Sequence, residues 1–260
     1  IVKYDGDVIV DESEISMTLA DGTVVGASPR ITSAKKRNIV KTITAPLYRQ
    51  KEFVSEANEL TLKMKGGFSV IFRAYNEGVA YRFATTQKGE TVVMSETAEV
   101  NFGKDNLAWL PYSTNEKNQM AMAFQNFYDN CRLSEAKDIL AFLPVTVDCG
   151  EVKVTVMESD LESYPGMFIS VDKEKKGLDG VFAPYPKKTD FYPWRVQEYV
   201  TETEDFIAKT TGPRNYPWRV LAVTSCDTQL PVNNLVYALA SPSRIEDTSW
   251  IKGGQVAWDW

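Results

Sequence analysis

The sequence predicts an all-β fold, a large antiparallel β-sandwich, on three observations. Apolar residues recur with a period of two along most of the chain, glycine and asparagine turns interrupt the alternation at short intervals, and a 3.6-residue period is not sustained. Leu60-Thr61-Leu62-Lys63-Met64-Lys65 alternates, Gly66-Gly67 turns the chain, and residues 68–75 resume the pattern. Side chains at i and i+2 share a face of a strand, so this stretch predicts a hairpin. Residues 79–83 follow Asn76-Glu77-Gly78, and residues 91–95 follow Lys88-Gly89-Glu90, so four strands are expected in succession as a meander. The same grammar recurs at 8–10, 15–19, 145–148, 152–157 and 219–223, and many short strands at this spacing suit two packed antiparallel sheets. Residues 117–130 fit neither period and are expected to form a loop or a short helix. Residues 164–189, with Pro165, Gly166, Gly177, Gly180, Pro184 and Pro186, read as long excursions from the sheets.

Composition narrows the chemistry. The chain has 260 residues, 43% of them hydrophobic, ample for a sizeable core, and no stretch has the composition of a domain linker. No apolar run approaches the ~20 residues of a membrane-spanning helix. A net charge of -6 disfavours nucleic acid as a partner. The basic runs at 35–37, 173–176 and 187–188 read as solvated loops. Histidine is absent, which removes Ser-His-Asp and Cys-His catalysis and the usual zinc sites. Cys131, Cys149 and Cys226 are too far apart for a CxxC site, leaving one disulfide or three free thiols. A metal held here would be a hard cation on oxygen ligands. No secretory signal opens the chain.

Three stretches are candidates for function. Met157-Glu158-Ser159-Asp160-Leu161-Glu162 places three carboxylates just beyond an apolar strand. Such a cluster suits Ca²⁺, or equally a polar strand end in which Ser159 or Asp160 caps a turn. The pentapeptide YPWRV occurs at 192–196 and again at 216–220. A strand would put Tyr216, Trp218 and Val220 on one face and Pro217 and Arg219 on the other. The flanks of the two copies differ, and only the second continues as an apolar strand. The third stretch is Val256-Ala257-Trp258-Asp259-Trp260, where indoles flank a carboxylate in the manner of a sugar subsite.

Phe72-Arg73-Ala74-Tyr75-Asn76-Glu77-Gly78, Glu158-Ser159-Asp160-Leu161-Glu162-Ser163-Tyr164-Pro165-Gly166-Met167, Pro217-Trp218-Arg219-Val220, Ser249-Trp250-Ile251-Lys252 and Trp258-Asp259-Trp260 occur in an order that resembles the N-terminal domain of glycoside hydrolase family 97, bacterial α-glucosidases and α-galactosidases. The resemblance spans nearly the whole chain. It implies a super-sandwich of the galactose-mutarotase-like kind over residues 1–256, with residues 257–260 starting a truncated (β/α)8 catalytic barrel. It implies that the opposed carboxylates of glycoside hydrolysis lie in that barrel, so no catalytic residue is expected here. It also implies that Glu158 is a calcium ligand shared with the barrel, that Trp258, Asp259 and Trp260 bind substrate, that oligosaccharide and barrel are the partners, and that the protein is periplasmic or secreted. The second YPWRV matches a strand of the family; the first is chance or a local duplication. The alternative is a free-standing carbohydrate-binding sandwich. Glucose against galactose, and inversion against retention, depend on barrel residues and stay open.

Overall fold

The computed structural model describes residues 1–45, 49–121, 124–193 and 197–254. In chain order the strands are β1 (Val2–Tyr4), β2 (Asp7–Val10), β3 (Ile15–Leu19), β4 (Val24–Val25), β5 (Ile31–Thr44), β6 (Glu52–Met64), β7 (Phe68–Tyr75), β8 (Gly78–Thr85), β9 (Glu90–Asn101), β10 (Leu107–Leu110), β11 (Asp129–Arg132), β12 (Val145–Asp148), β13 (Lys153–Ser159), β14 (Met167–Asp172), β15 (Gly177–Phe182), β16 (Pro186–Phe191), β17 (Glu198–Thr203), β18 (Ala208–Thr211), β19 (Arg214–Asn215) and β20 (Trp218–Thr224). A 3-10 turn, Asp227–Val232, leads into the short helix α1 (Leu235–Leu239).

Two sheets make the body. The larger runs β11, β10, β12, β13, β20, β8, β7, β6, β5, with β19 also on β8; the smaller runs β14, β15, β9, β3, β4, with β18 also on β9. Their inner faces meet in one core that joins Val70, Phe83, Val154 and Val156 of the first to Met17, Val93, Val100 and Leu178 of the second. The all-β sandwich expected from period-two patterning is therefore what forms. Two ribbons, β1 with β2 and β16 with β17, stand apart from the sheets.

The details depart from expectation in several places. The meander ends after β8: β7 pairs with β6 and β8, but β9 crosses to the smaller sheet and pairs with β3, β15 and β18. Sequence periodicity reports which face a residue takes and says nothing of which strand lies beside it. Residues 167–182 are not an excursion, since β14 and β15 bury Met167, Ile169, Leu178 and Phe182. Gly177 misled because it serves packing: a Cβ there would lie 2.3 Å from Asn101 Oδ1. The excursion is confined to the exposed β16 and β17 ribbon. The basic run at 35–37 lies within the edge strand β5, where lysines blunt pairing with other chains. Residues 187–188 lie in β16, and 173–176 do turn between β14 and β15. The described part of 117–130 is irregular until β11 begins. All three cysteines are free thiols.

The outer face of the larger sheet is also buried. Ala80, Trp218, Val220 and Ala222 pack under Leu235 and Leu239 of α1. Arg49, beyond β5, donates to the carbonyls of Pro231 and Val232, so the long β5–β6 hairpin reaches the turn that precedes α1. Beneath it the Glu59 carboxylate, 2% exposed, accepts from Arg37 Nε at 2.6 Å and Arg73 Nε at 2.9 Å. Burial pushes the Glu59 carboxyl up, but the two guanidiniums outweigh it and leave the group below its ordinary value.

A folded carboxyl titrating below its unfolded value stabilises the fold fully above the ordinary value of 4.5, and that contribution is lost as pH falls through the folded value. Glu59→Gln is therefore expected to cost on the order of 3 kcal/mol at neutral pH, with the difference from wild type shrinking below pH ~4. Urea unfolding across pH checks both; a constant difference would reject the ion-pair account. Trp218→Ala is expected to cost about 3–5 kcal/mol in the same assay, because this indole is fully buried.

Candidate functional site

Val154, Val156 and Glu158 alternate onto one face of β13, and the two valines are core. The same face therefore carries the Glu158 carboxylate inward at the rim of the sandwich. Its side chain is 17% exposed. Arg219 lies opposite it in β20, on the inner face, while Trp218 and Val220 point to the outer one. Tyr216 does not share the face of Trp218 as expected. It precedes β20 and packs in the inter-sheet core, because the strand begins two residues later.

Arg219 is 3% exposed and spans the two sheets. Its Nε and Nη2 donate to the two oxygens of Glu96 on β9, at 2.7 and 2.9 Å, and Nη1 donates to Glu158 Oε2 at 2.8 Å. The guanidinium also lies over the Phe182 ring, 4.7 Å from its centroid. Tyr164, brought in by the loop after β13, donates its hydroxyl to Glu96 Oε2 at 2.8 Å. Burial opposes the charge on Arg219, yet Glu96 and Glu158 hold it protonated above the ordinary range. Burial raises the Tyr164 hydroxyl, and Glu96 raises it further. It also raises the Glu158 carboxyl, against the pull of Arg219 and the Met167 N–H. Formally, two carboxylates share one guanidinium.

Asp160 comes next along the rim. It adopts a left-handed backbone, φ 62°. Its carboxylate accepts from Arg82 Nη1 at 2.9 Å and from the Ser241 N–H and hydroxyl. Asp160 thus caps no local turn in these bonds; it ties the segment after α1 to the rim. Arg82 and Arg73 lie over the Trp218 ring, 4.3 and 4.6 Å from its centroid. Glu162 pairs with Arg244 at 3.3 Å near the surface.

Among the sequence-predicted site residues, Glu158 is at this rim, whereas Trp258, Asp259 and Trp260 lie outside the described residues. Sequence reasoning missed Arg219, Glu96 and Tyr164. Arg219 had a usable signal, an arginine in the inward phase of an apolar strand; Glu96 had none, because its phase is set by a bulge. Among the described residues no three Cys, Asp or Glu side chains converge as a metal site. The chain fits a cation as the donor of one ligand. A cavity of about 740 Å³ between the sheets, under β1 and β2, is lined by Leu60, Phe72, Val79, Tyr81 and Leu221 among others. Among its described lining residues is Arg219 but not Glu158.

Comparison with known proteins follows the same lines. The family profile described as Glycosyl-hydrolase 97 N-terminal matches residues 1–242. A retaining alpha-galactosidase of Bacteroides thetaiotaomicron is 42% identical over 267 positions, covering 100% of this chain and 40% of its own length. A probable retaining alpha-galactosidase of Streptomyces bingchenggensis is 20% identical, covering 100% and 37%. A family 97 enzyme from Pseudoalteromonas sp. strain K8, solved with acarbose, superposes with a TM-score of 0.68 at 19% identity over 94% of this chain and 35% of that one. A beta-arabinopyranosidase superposes with a TM-score of 0.68 at 18% identity, covering 85% and 36%. At that identity the structural likeness concerns the fold alone. The chain thus spans about 40% or less of the length of these relatives. With the profile covering the sandwich from β1 to beyond α1, the chain belongs to glycoside hydrolase family 97, as the N-terminal domain of its enzymes.

Proposed function

We propose that this chain is the non-catalytic sandwich of a retaining α-galactosidase, packed on a (β/α)8 catalytic barrel and lending Glu158 to a calcium site that the two parts share. The observation that carries the galactosidase assignment is the 42% identity to a retaining alpha-galactosidase along the entire chain. Support for Glu158 comes from charge. Within the cluster of Glu96, Glu158 and Arg219, two carboxylates meet one guanidinium, which favours a second cation beside Glu158. Calcium takes about six to eight oxygens, so a single carboxylate calls for further ligands, and the barrel supplies them. Bound there, the ion supplies a fixed positive charge beside the substrate. Glu158 holds its share of that site, and the sandwich shields it from water. Trp258, Asp259 and Trp260 are the substrate-binding residues of this reading, and the whole enzyme acts on α-galactosides in the periplasm or outside the cell.

Two measurements test this. The isolated chain is expected to leave nitrophenyl α-galactoside unhydrolysed; turnover abolished by replacing one of its own carboxylates would overturn the non-catalytic assignment. In the complete polypeptide, Glu158→Gln is expected to lower activity at limiting Ca²⁺ by about tenfold or more, with recovery at excess Ca²⁺. Normal activity at limiting Ca²⁺ would remove Glu158 from the metal site.

A further inference from the structure

We infer that Gly166 keeps one oxygen of Glu158, Oε1, open to a cation, while Arg219 occupies the other. The inference deepens the calcium reading of Glu158 and rests on it. Oε2 accepts Arg219 Nη1 at 2.8 Å and shares the Met167 N–H at 3.2 Å; Oε1 receives only the far branch of that N–H, at 3.3 Å. A carboxylate has about four lone-pair directions, so the unused acceptor capacity sits mainly on Oε1. Arg219 cannot swing to cover it, because its Nε and Nη2 are fixed on Glu96. The orientation of the carboxylate is thereby set from behind, by a residue that would not itself touch the ion.

Gly166 stands in front. A Cβ at this position would lie 3.3 Å from Oε1, a tight contact, and 3.7 Å from Leu161 Cδ2, an ordinary one, so a methyl group would crowd the open oxygen. Gly166 is not among the glycines with left-handed backbone, so alanine fits the main chain without strain. What glycine contributes here is therefore the absent side chain. Calcium approaches oxygen to about 2.3–2.6 Å, and a methyl carbon beside Oε1 competes for that space.

The complete polypeptide, stripped with EDTA, is titrated with Ca²⁺ by calorimetry, and its melting temperature is measured in EDTA. Gly166→Ala is expected to weaken Ca²⁺ binding by about tenfold, to keep the wild-type melting temperature in EDTA, and to regain wild-type kcat when Ca²⁺ saturates. If Glu158→Gln weakens binding but Gly166→Ala binds as wild type, the role of Gly166 is wrong and the calcium reading stands. If neither variant changes affinity, the calcium reading itself falls. A melting temperature that drops in EDTA for Gly166→Ala would show a packing role and overturn the inference. Arg219→Lys, with the charge kept and the fork lost, is expected to weaken Ca²⁺ binding in its folded fraction; unchanged affinity there would reject the positioning by Arg219.

Discussion

The buried fork of Arg219 on Glu96 is the constraint on which the rim of this sandwich depends. An arginine and a glutamate taken out of water lose solvation that only good geometry restores. Here Nε and Nη2 meet both oxygens of Glu96, the third donor meets Glu158, and Tyr164 takes a remaining acceptor direction on Glu96. The two carboxylates come from different sheets, β9 and β13, so the pair fixes the distance and register of one sheet against the other. It also fixes the loop that carries Tyr164, since removing that hydroxyl would strip a partner from a buried carboxylate.

The adjacent residue extends the constraint to the opposite face. Trp218 and Arg219 are consecutive in β20 and point to opposite sides, as strand geometry requires. The guanidiniums of Arg73 and Arg82, anchored on Glu59 and Asp160, both lie over the indole. One dipeptide therefore locks the inner core and the layer under α1 together. The first copy of the pentapeptide lies between β16 and β17, two exposed strands that pair with each other and join neither sheet. Tyr192 there stacks on Tyr199, whereas Tyr216 contacts Tyr164 in the core. The two tyrosines, identical in the pentapeptide, thus meet different neighbours.

The strands were legible because burial on one face writes itself into alternate residues, as in Leu60 to Tyr75. Their assembly was less so. Nothing local distinguishes β9, which crosses to the second sheet, from a fourth strand of the meander. The inward phase of Glu96 was hidden by a bulge: Thr18 pairs with Ser95 but Leu19 with Val93, leaving Met94 as the extra residue. Val93 faces the core before it, and Glu96, Ala98 and Val100 after it. A strict alternation drawn from Val93 puts Glu96 in solvent. Helix α1 was missed because five residues carry too little periodic signal. Glu158 could be singled out from the motif around it, although it lies within β13 and not beyond the strand as the sequence suggested, since the ladder to β20 runs on to Ser159. Arg219 and Glu96 are 123 residues apart, and a pairing at that separation is a property of the fold.

That separation bears on how a non-catalytic domain takes part in chemistry. Arg219, itself fixed on Glu96, and the Met167 N–H orient Glu158, and within the cluster of Glu96, Glu158 and Arg219 two carboxylates meet one guanidinium. On the proposed calcium reading, a cation arriving with its other ligands from the catalytic part would pair with Glu158 and join the two parts. Affinity for the ion and docking of the domains are then linked quantities: whatever fixes the Glu158 carboxylate beforehand lowers the cost of ordering the shared site. Under that proposal, rigidity built at the level of β20 and β9 would make Glu158, at the rim, a preorganised ligand.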